Sequence, residues 1–198
     1  MRIGIVLFEG FEELDAIGPY GVLRYAAGYG AEVEVELVTL EPVERVTAAN
    51  GLVVEPQGVL DESYDLVVVP GGGWHERAER GTFAEARRGE LTATLARLHE
   101  RGTAVASVCT GGMLLSAAGL TRGRPAVTHA ATLDELAASG ARVIRERVVD
   151  DGDLVTSGGV TAGIDMALWL VEREWGKEKA DRIARLMEHE RDGKVWRR

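Results

Sequence analysis

Cysteine is nearly missing from this sequence: among its 198 residues the only one is Cys109. A single cysteine excludes a disulfide within the chain, so Cys109 is either a small buried side chain or a reactive thiol. The sequence also lacks a run of about 20 apolar residues, the length that spans a bilayer, and an amino-terminal segment of the kind that directs secretion. We therefore expect no membrane association and a cytoplasmic location.

Positive charge is in deficit as well. Lysine and arginine number 23 against 32 aspartates and glutamates, which gives a net charge of −9, and the acidic residues are spread along the chain. A basic surface for nucleic acid is therefore not expected. Apolar residues make up 45% of the sequence, which is enough for one compact core. We predict a single domain over residues 1–198.

Short β-branched runs alternate with longer helical segments along the chain. The run from Asp65 to Val69 is apolar on both faces, as in the middle of a parallel sheet. The alternation predicts an α/β fold with a mostly parallel sheet and helices on both faces. Capping boxes at Thr82 and Thr132 predict two helix starts, the first helix reaching about Arg101. The segment from Val143 to Val149 predicts one strand. In such sheets, sites form at the carboxyl ends of the strands.

Cys109 lies at one of these strand ends. In the segment Ser107-Val108-Cys109-Thr110-Gly111-Gly112, an apolar strand runs into a turn of small residues and then a helix. This is the arrangement of a nucleophile elbow, which projects a side chain into the open. The amino end of the following helix favours thiolate over thiol, so the segment predicts a lowered thiol pKa. The same pattern also fits a small core residue at the end of a strand.

Two further segments lie at strand ends and are candidates for the same site. Pro70-Gly71-Gly72-Gly73 lets backbone N–H groups turn towards a neighbouring group, and the Gly72 and Thr110 N–H groups are candidates for an oxyanion hole. The acidic segment from Phe8 to Asp15 could supply a carboxyl group that shuttles a proton to or from a thiol. A plain tight turn and a helix start that favours acidic residues are the structural alternatives.

Histidines occur at positions 75, 99, 129 and 189. No pair has the spacing of metal ligands on one element, and a single cysteine adds little, so no metal site is predicted. His75 follows the glycine turn, and His129 follows a short apolar run. Either could act as an acid or base, and a structural or surface role stays open for both.

Taken together, these segments resemble the DJ-1/PfpI (ThiJ) superfamily. The resemblance covers nearly the whole chain, and the matching stretches are Ile3 to Pro19, Tyr64 to Gly73, Ala104 to Leu120, Pro125 to Thr132, and Leu154 to Leu170. It implies a flavodoxin-like three-layer sandwich that usually forms a dimer. It also implies that Cys109 is the reactive cysteine, that Asp15 is the acidic residue beside it, and that Gly72 and Thr110 supply the backbone amides.

Within the superfamily, the sequence looks most similar to the isonitrile hydratase branch. The peptidases of the superfamily carry histidine directly after the cysteine, where this chain has Thr110, and the DJ-1 and glyoxalase members typically use glutamate where this chain has Asp15. The resemblance therefore implies a hydro-lyase that needs no cofactor and adds water to a small electrophilic molecule through a covalent bond to Cys109. Candidate substrate-binding residues are Gly73, Trp74 and His129. A redox or stress-response protein with an oxidisable cysteine, and a glyoxalase or deglycase, are the alternatives.

Overall fold

The computed structural model describes residues 1–191 and 194–198 of the chain. Its strands are β1 (Arg2–Val6), β2 (Glu34–Thr39), β3 (Val46–Thr47), β4 (Val53–Val54), β5 (Gly58–Val59), β6 (Leu66–Val69), β7 (Ala104–Ser107), β8 (Pro125–Ala126), β9 (Arg142–Val143), β10 (Val148–Asp150), β11 (Leu154–Ser157) and β12 (Val195–Arg197). Its helices are α1 (Glu13–Gly28), α2 (Thr82–Arg88), α3 (Glu90–Glu100), α4 (Gly111–Ala117), α5 (Leu133–Ala138), α6 (Ala162–Trp175) and α7 (Lys177–Leu186).

The centre of the fold is an eight-stranded sheet in the order β12-β10-β11-β7-β6-β1-β2-β5. Strands from β5 to β11 in that order pair in parallel, whereas β10 pairs antiparallel with β11 and parallel with β12. All four residues of β6 are buried. The apolar run at Leu66–Val69 therefore lies where the sequence predicts it, in the covered middle of a parallel sheet.

Helices cover both faces of the sheet. α1, α6 and α7 pack together, while α2, α3 and α4 pack together as a second group. This is the predicted three-layer α/β sandwich. It brings the carboxyl ends of β1, β6 and β7, which are neighbours in the sheet, to one edge. Within the described ranges, no helix combines the length and apolar character needed to cross a bilayer.

Three local predictions were wrong. The helix predicted from Thr82 to about Arg101 is two helices, because the intervening Gly89 adopts a left-handed conformation with φ of 84°. Neither predicted capping box forms: the Thr82 hydroxyl donates to the Gly72 carbonyl, and Thr132 bonds within its own turn. The strand predicted from Val143 to Val149 is likewise divided between β9 and β10.

Candidate active site

Cys109 occupies a strained turn between β7 and α4. Its φ is +55°, which is uncommon for a residue with a side chain. Both of its backbone groups are held in place: its N–H donates to the Gly158 carbonyl at 2.8 Å, and its own carbonyl accepts from the Thr128 hydroxyl at 2.9 Å. Strain of this kind persists only where the surroundings enforce it, and it is concentrated at functional sites. The strand-to-helix elbow predicted from the sequence is present.

Asp15 lies beside Cys109, in the first turn of α1, and is completely buried. Its Oδ2 accepts the Gly71 N–H at 2.9 Å. Oδ1 has no hydrogen-bond partner among the described residues. Burial raises the pKa of the Asp15 carboxyl to about 7, with the Glu12 charge acting in the same direction and the Gly71 and Cys109 contacts opposing it. A carboxyl group with such a pKa can both accept and release a proton near neutral pH.

The thiol itself differs from the sequence-based prediction. The Cys109 side chain is buried, with the residue only 7% exposed. Burial first, and then the Asp15 charge, raises the pKa of Cys109 to about 12, although the Val160 and Thr110 amides favour the thiolate. The predicted low pKa and open sulfur were therefore wrong, because loss of hydration and a neighbouring carboxylate outweigh the helix terminus. The two groups titrate as a coupled pair.

The Gly72 N–H, expected to point at a developing oxyanion, donates to the Thr110 hydroxyl oxygen at 2.9 Å. The hydroxyls of Thr110 and Thr82 are 3.2 Å apart, and the Thr82 proton is already donated to the Gly72 carbonyl at 2.7 Å. The Thr110 hydroxyl therefore donates its single proton to the Thr82 oxygen, and that proton is not available to another acceptor. These three residues form a closed network that ties the glycine turn to the cysteine elbow. The Thr110 backbone N–H is the amide of this group that interacts with the sulfur.

Gly71 lies where the segment after β6 meets Asp15 and Thr110. A Cβ atom there would be 2.6 Å from the Thr110 nitrogen and 2.8 Å from Asp15 Oδ2, distances that real side chains do not tolerate. The absence of a side chain lets the backbone reach Asp15 and Thr110 together. Gly72 was the glycine predicted to supply a backbone amide to the site, whereas it is the Gly71 N–H that binds the Asp15 carboxyl group.

Val160 is a site residue that the sequence analysis missed. It precedes α6 and has a φ of +27°, and its N–H is one of the two amides that favour the Cys109 thiolate. The His129 ring lies against this turn. A Cβ atom on Gly159 would be only 2.8 Å from the ring. The His129 Nδ1 accepts the Ala131 N–H at 3.2 Å, so the neutral ring carries its proton on Nε2. In the run Gly-Gly-Val-Thr-Ala-Gly only the glycines indicate a turn, and nothing in the sequence indicates that the valine itself has a positive φ.

Trp74 is half-buried and anchored by its polar edge. Its indole N–H donates to Glu135 at 3.1 Å, and its ring meets Phe83 edge to face at a centroid distance of 5.7 Å. Gly73, which precedes it, has a φ of +69°, a left-handed conformation that favours glycine. His75 is exposed. Over residues 1–191 and 194–198, no group of three or more His, Cys, Asp or Glu side chains is arranged to hold a metal ion.

Comparison with known proteins identifies the family. A model of the DJ-1/PfpI family matches residues 1–173. The chain belongs to the DJ-1/PfpI family. It is 38% identical over 192 residues to the isonitrile hydratase of Pseudomonas putida, across 96% of this chain and 78% of that protein. It is also 28% identical over 177 residues to the deglycase PH1704 of Pyrococcus horikoshii, across 87% of this chain and 96% of that one.

Solved structures of the DJ-1/PfpI family share the fold. The crystal structure of a ThiJ/PfpI family protein from Pseudomonas syringae matches this chain with a TM-score of 0.84 and 29% identity, over 96% of this chain and 76% of that one. The predicted flavodoxin-like sandwich and the family resemblance are thus both confirmed.

Proposed function

We propose that this DJ-1/PfpI protein hydrates isonitriles through a covalent bond to Cys109. The observation that carries the proposal is the Asp15 carboxyl group: it is buried beside the sulfur, held by Gly71 through Oδ2, and without a hydrogen-bond partner at Oδ1 in the described structure. Such a group can move a proton at the reacting atoms without water. The 38% identity to an isonitrile hydratase supports the choice of substrate.

The first step forms a carbon–sulfur bond. Cys109 attacks the terminal carbon of R–N≡C while ionised Asp15 accepts the thiol proton, and Asp15 then delivers that proton to the same carbon. The product is a thioimidate, R–N=CH–S–Cys109. Because the pKa of Asp15 is raised by burial to about 7, neither acceptance nor release of the proton is costly near neutral pH. The Thr110 and Val160 amides offset part of the negative charge on the sulfur.

The second step adds water and breaks the carbon–sulfur bond. Asp15, again ionised, removes a proton from the attacking water, and the tetrahedral adduct expels the Cys109 sulfur. The proton held by Asp15 returns to the thiolate, and transfer of the remaining proton from oxygen to nitrogen gives R–NH–CHO. The sum of both steps is one isonitrile plus one water giving one N-substituted formamide. No cofactor takes part.

The test is a substrate panel of alkyl and aryl isonitriles, methylglyoxal and peptides, presented to the wild-type protein, Cys109→Ala and the exposed-site control Asp134→Asn. We expect formamide from the isonitriles with wild type and Asp134→Asn, and no turnover with Cys109→Ala. Undiminished isonitrile turnover by Cys109→Ala ends the proposal. Turnover of methylglyoxal alone favours the second candidate, a glyoxalase or deglycase activity, which the 28% identity to a deglycase supports.

The redox alternative fits the site less well. An oxidation-sensing cysteine is accessible and has a lowered pKa, whereas Cys109 is buried and burial raises its pKa to about 12. Contacts of substrate with Gly73, Trp74 and His129, a single domain over residues 1–198, a homodimer and a cytoplasmic location stay predictions that accompany the proposed function.

A further inference from the structure

Arg147 lies in the segment between β9 and β10 and makes contacts on both sides of the turn at Val160. Its backbone carbonyl accepts the Gly158 N–H at 3.0 Å. Its side chain donates from Nε to Asp165 Oδ2 at 2.6 Å and from the terminal guanidinium nitrogen to the Thr161 hydroxyl at 3.0 Å. One residue therefore binds the chain two residues before the strained valine, at Gly158, and one residue after it, at Thr161.

The turn that Arg147 holds is joined directly to the nucleophile. The Cys109 N–H donates to the Gly158 carbonyl at 2.8 Å, while the Gly158 N–H donates to Arg147. A φ of +27° at Val160 is strained for a β-branched residue, and such strain relaxes unless neighbouring contacts oppose it. The His129 ring packs against Gly159 in the same turn.

The polar partners of the Arg147 side chain are an exposed threonine and a buried aspartate, both at the start of α6. Thr161 precedes α6 but makes no side-chain capping bond to that helix, and its hydroxyl is exposed apart from the contact with Arg147. Asp165 is buried in the first turn of α6 and accepts His189 through its second oxygen at 2.9 Å. A buried, doubly bonded carboxylate fixes the fork of Arg147 in one orientation.

We propose that Arg147 is a positioning residue for Cys109: its side chain holds the Gly158–Thr161 turn, and the Gly158 carbonyl of that turn accepts the Cys109 N–H at 2.8 Å, which fixes the cysteine beside Val160. The inference rests on Cys109 being the nucleophile of the proposed function. It assigns Arg147 no contact with substrate. Loss of the guanidinium group lets Val160 relax towards ordinary backbone angles and withdraws one of the two amides that favour the thiolate.

The experiment measures the rate of Cys109 alkylation by iodoacetamide between pH 7 and 11, which needs no isonitrile turnover. The variants are Arg147→Met, Thr161→Val and Thr161→Ser, with the exposed neighbour Arg145→Met as a matched control. One hydrogen bond to a charged group corresponds to about a tenfold change in equilibrium. We therefore expect alkylation at pH 9 to slow about tenfold in Arg147→Met and about threefold in Thr161→Val, with the pH profile moved to higher pH. Thr161→Ser, which keeps the hydroxyl, and Arg145→Met should match wild type.

Melting temperatures identify any variant that fails to fold. If Arg147→Met is unstable, the comparison of Thr161→Val with Thr161→Ser still tests the inference, because Thr161 is exposed. Wild-type alkylation profiles in folded Arg147→Met, or in Thr161→Val, overturn the inference while leaving the proposed function intact. Absence of isonitrile turnover in the wild-type protein, together with slowed alkylation in both variants, rejects the proposed function and leaves the role of Arg147 standing.

Discussion

Asp15 and Cys109 form a buried acid–thiol pair in which the carboxyl group is only half satisfied. Gly71 binds Oδ2 at 2.9 Å, whereas Oδ1 has no partner in the part of the chain that the structure describes. Burial raises the pKa of both groups, to about 7 for Asp15 and about 12 for Cys109. The pair therefore holds one proton over the neutral and mildly alkaline range, and that proton is the one the proposed reaction moves.

The dependence of isonitrile hydration on pH should follow Asp15. Because the carboxylate must be ionised to accept the thiol proton, kcat/KM is expected to rise as the pH increases through about 7, the pKa to which burial raises Asp15. It should stay high until the second proton is lost in the strongly alkaline range. Steady-state kinetics between pH 5 and 10 measure this profile.

Asp15→Asn keeps the size of the side chain and removes its titration. We expect kcat to fall by about a hundredfold or more, the usual contribution of a general acid–base group, and the step near neutral pH to vanish. Asp134→Asn, at an exposed position, should retain the wild-type profile. A wild-type pH profile in Asp15→Asn would show that another group transfers the proton.

The same carboxyl group should make stability fall with rising pH. Its folded-state pKa lies above the unfolded value, so the native state binds the extra proton and the stabilisation is complete below about pH 4 and lost by about pH 7. A shift from 3.8 to about 7 corresponds to at most about 4 kcal/mol in the free energy of unfolding. Urea unfolding at pH 4 and pH 8 measures it, and Asp15→Asn should be the more stable protein at pH 8.

Gly71→Ala should damage the site and the fold together. The added methyl group would be 2.6 Å from the Thr110 nitrogen and 2.8 Å from Asp15 Oδ2, so the turn must move and the Asp15 hydrogen bond is lost. We expect a loss of about 1–3 kcal/mol in unfolding free energy and little activity. Gly21→Ala is the matched control, because a Cβ at that helical position meets nothing within 4 Å. It should stabilise the protein by about 0.5–1 kcal/mol.

Thr110→Val removes the side-chain hydroxyl but keeps the backbone N–H, so it tests the role of the hydroxyl alone. The substitution leaves the Gly72 N–H without the oxygen that accepts it at 2.9 Å. Because this donor is only partly buried, the cost should lie near the lower end of the range of about 1–3 kcal/mol for a buried unpaired donor. Thr110→Ser restores that acceptor and should recover wild-type stability. Thermal unfolding of the three proteins makes the comparison. Equal stability of Thr110→Val and wild type would mean that the Thr82–Thr110–Gly72 network carries little energy.

Much of the fold could be predicted because it depends on patterns within single segments. The apolar run at Leu66–Val69 predicts a buried strand, and the small residues after Cys109 predict a tight turn. Both are present in the structure. Helix starts were less predictable. Thr82 has the sequence context of a helix cap, but its hydroxyl binds the Gly72 carbonyl, ten residues earlier, instead of capping the helix. Such competition between local and distant partners is not visible in a linear pattern.

The sequence predicted which residues form the site, but it did not predict the pKa of the thiol. Asp15 and Cys109 lie together as expected, yet the elbow motif predicts a lowered thiol pKa, whereas burial raises it. Burial depends on how several layers close over the sulfur, which no segment of the sequence reports. Val160 and Arg147 were missed for a related reason. Their roles follow from a positive φ and from contacts across the chain, and neither belongs to a recognisable motif.

The covalent intermediate is the most direct test of the central claim, that Cys109 and Asp15 together hydrate an isonitrile. Intact-protein mass spectrometry of samples acid-quenched during turnover should show wild-type protein increased by the mass of one isonitrile, with the added mass on the peptide that contains Cys109. The adduct should be absent from Cys109→Ala, which should form no formamide. Formamide production at the wild-type rate without any adduct, or by Cys109→Ala, would contradict the account.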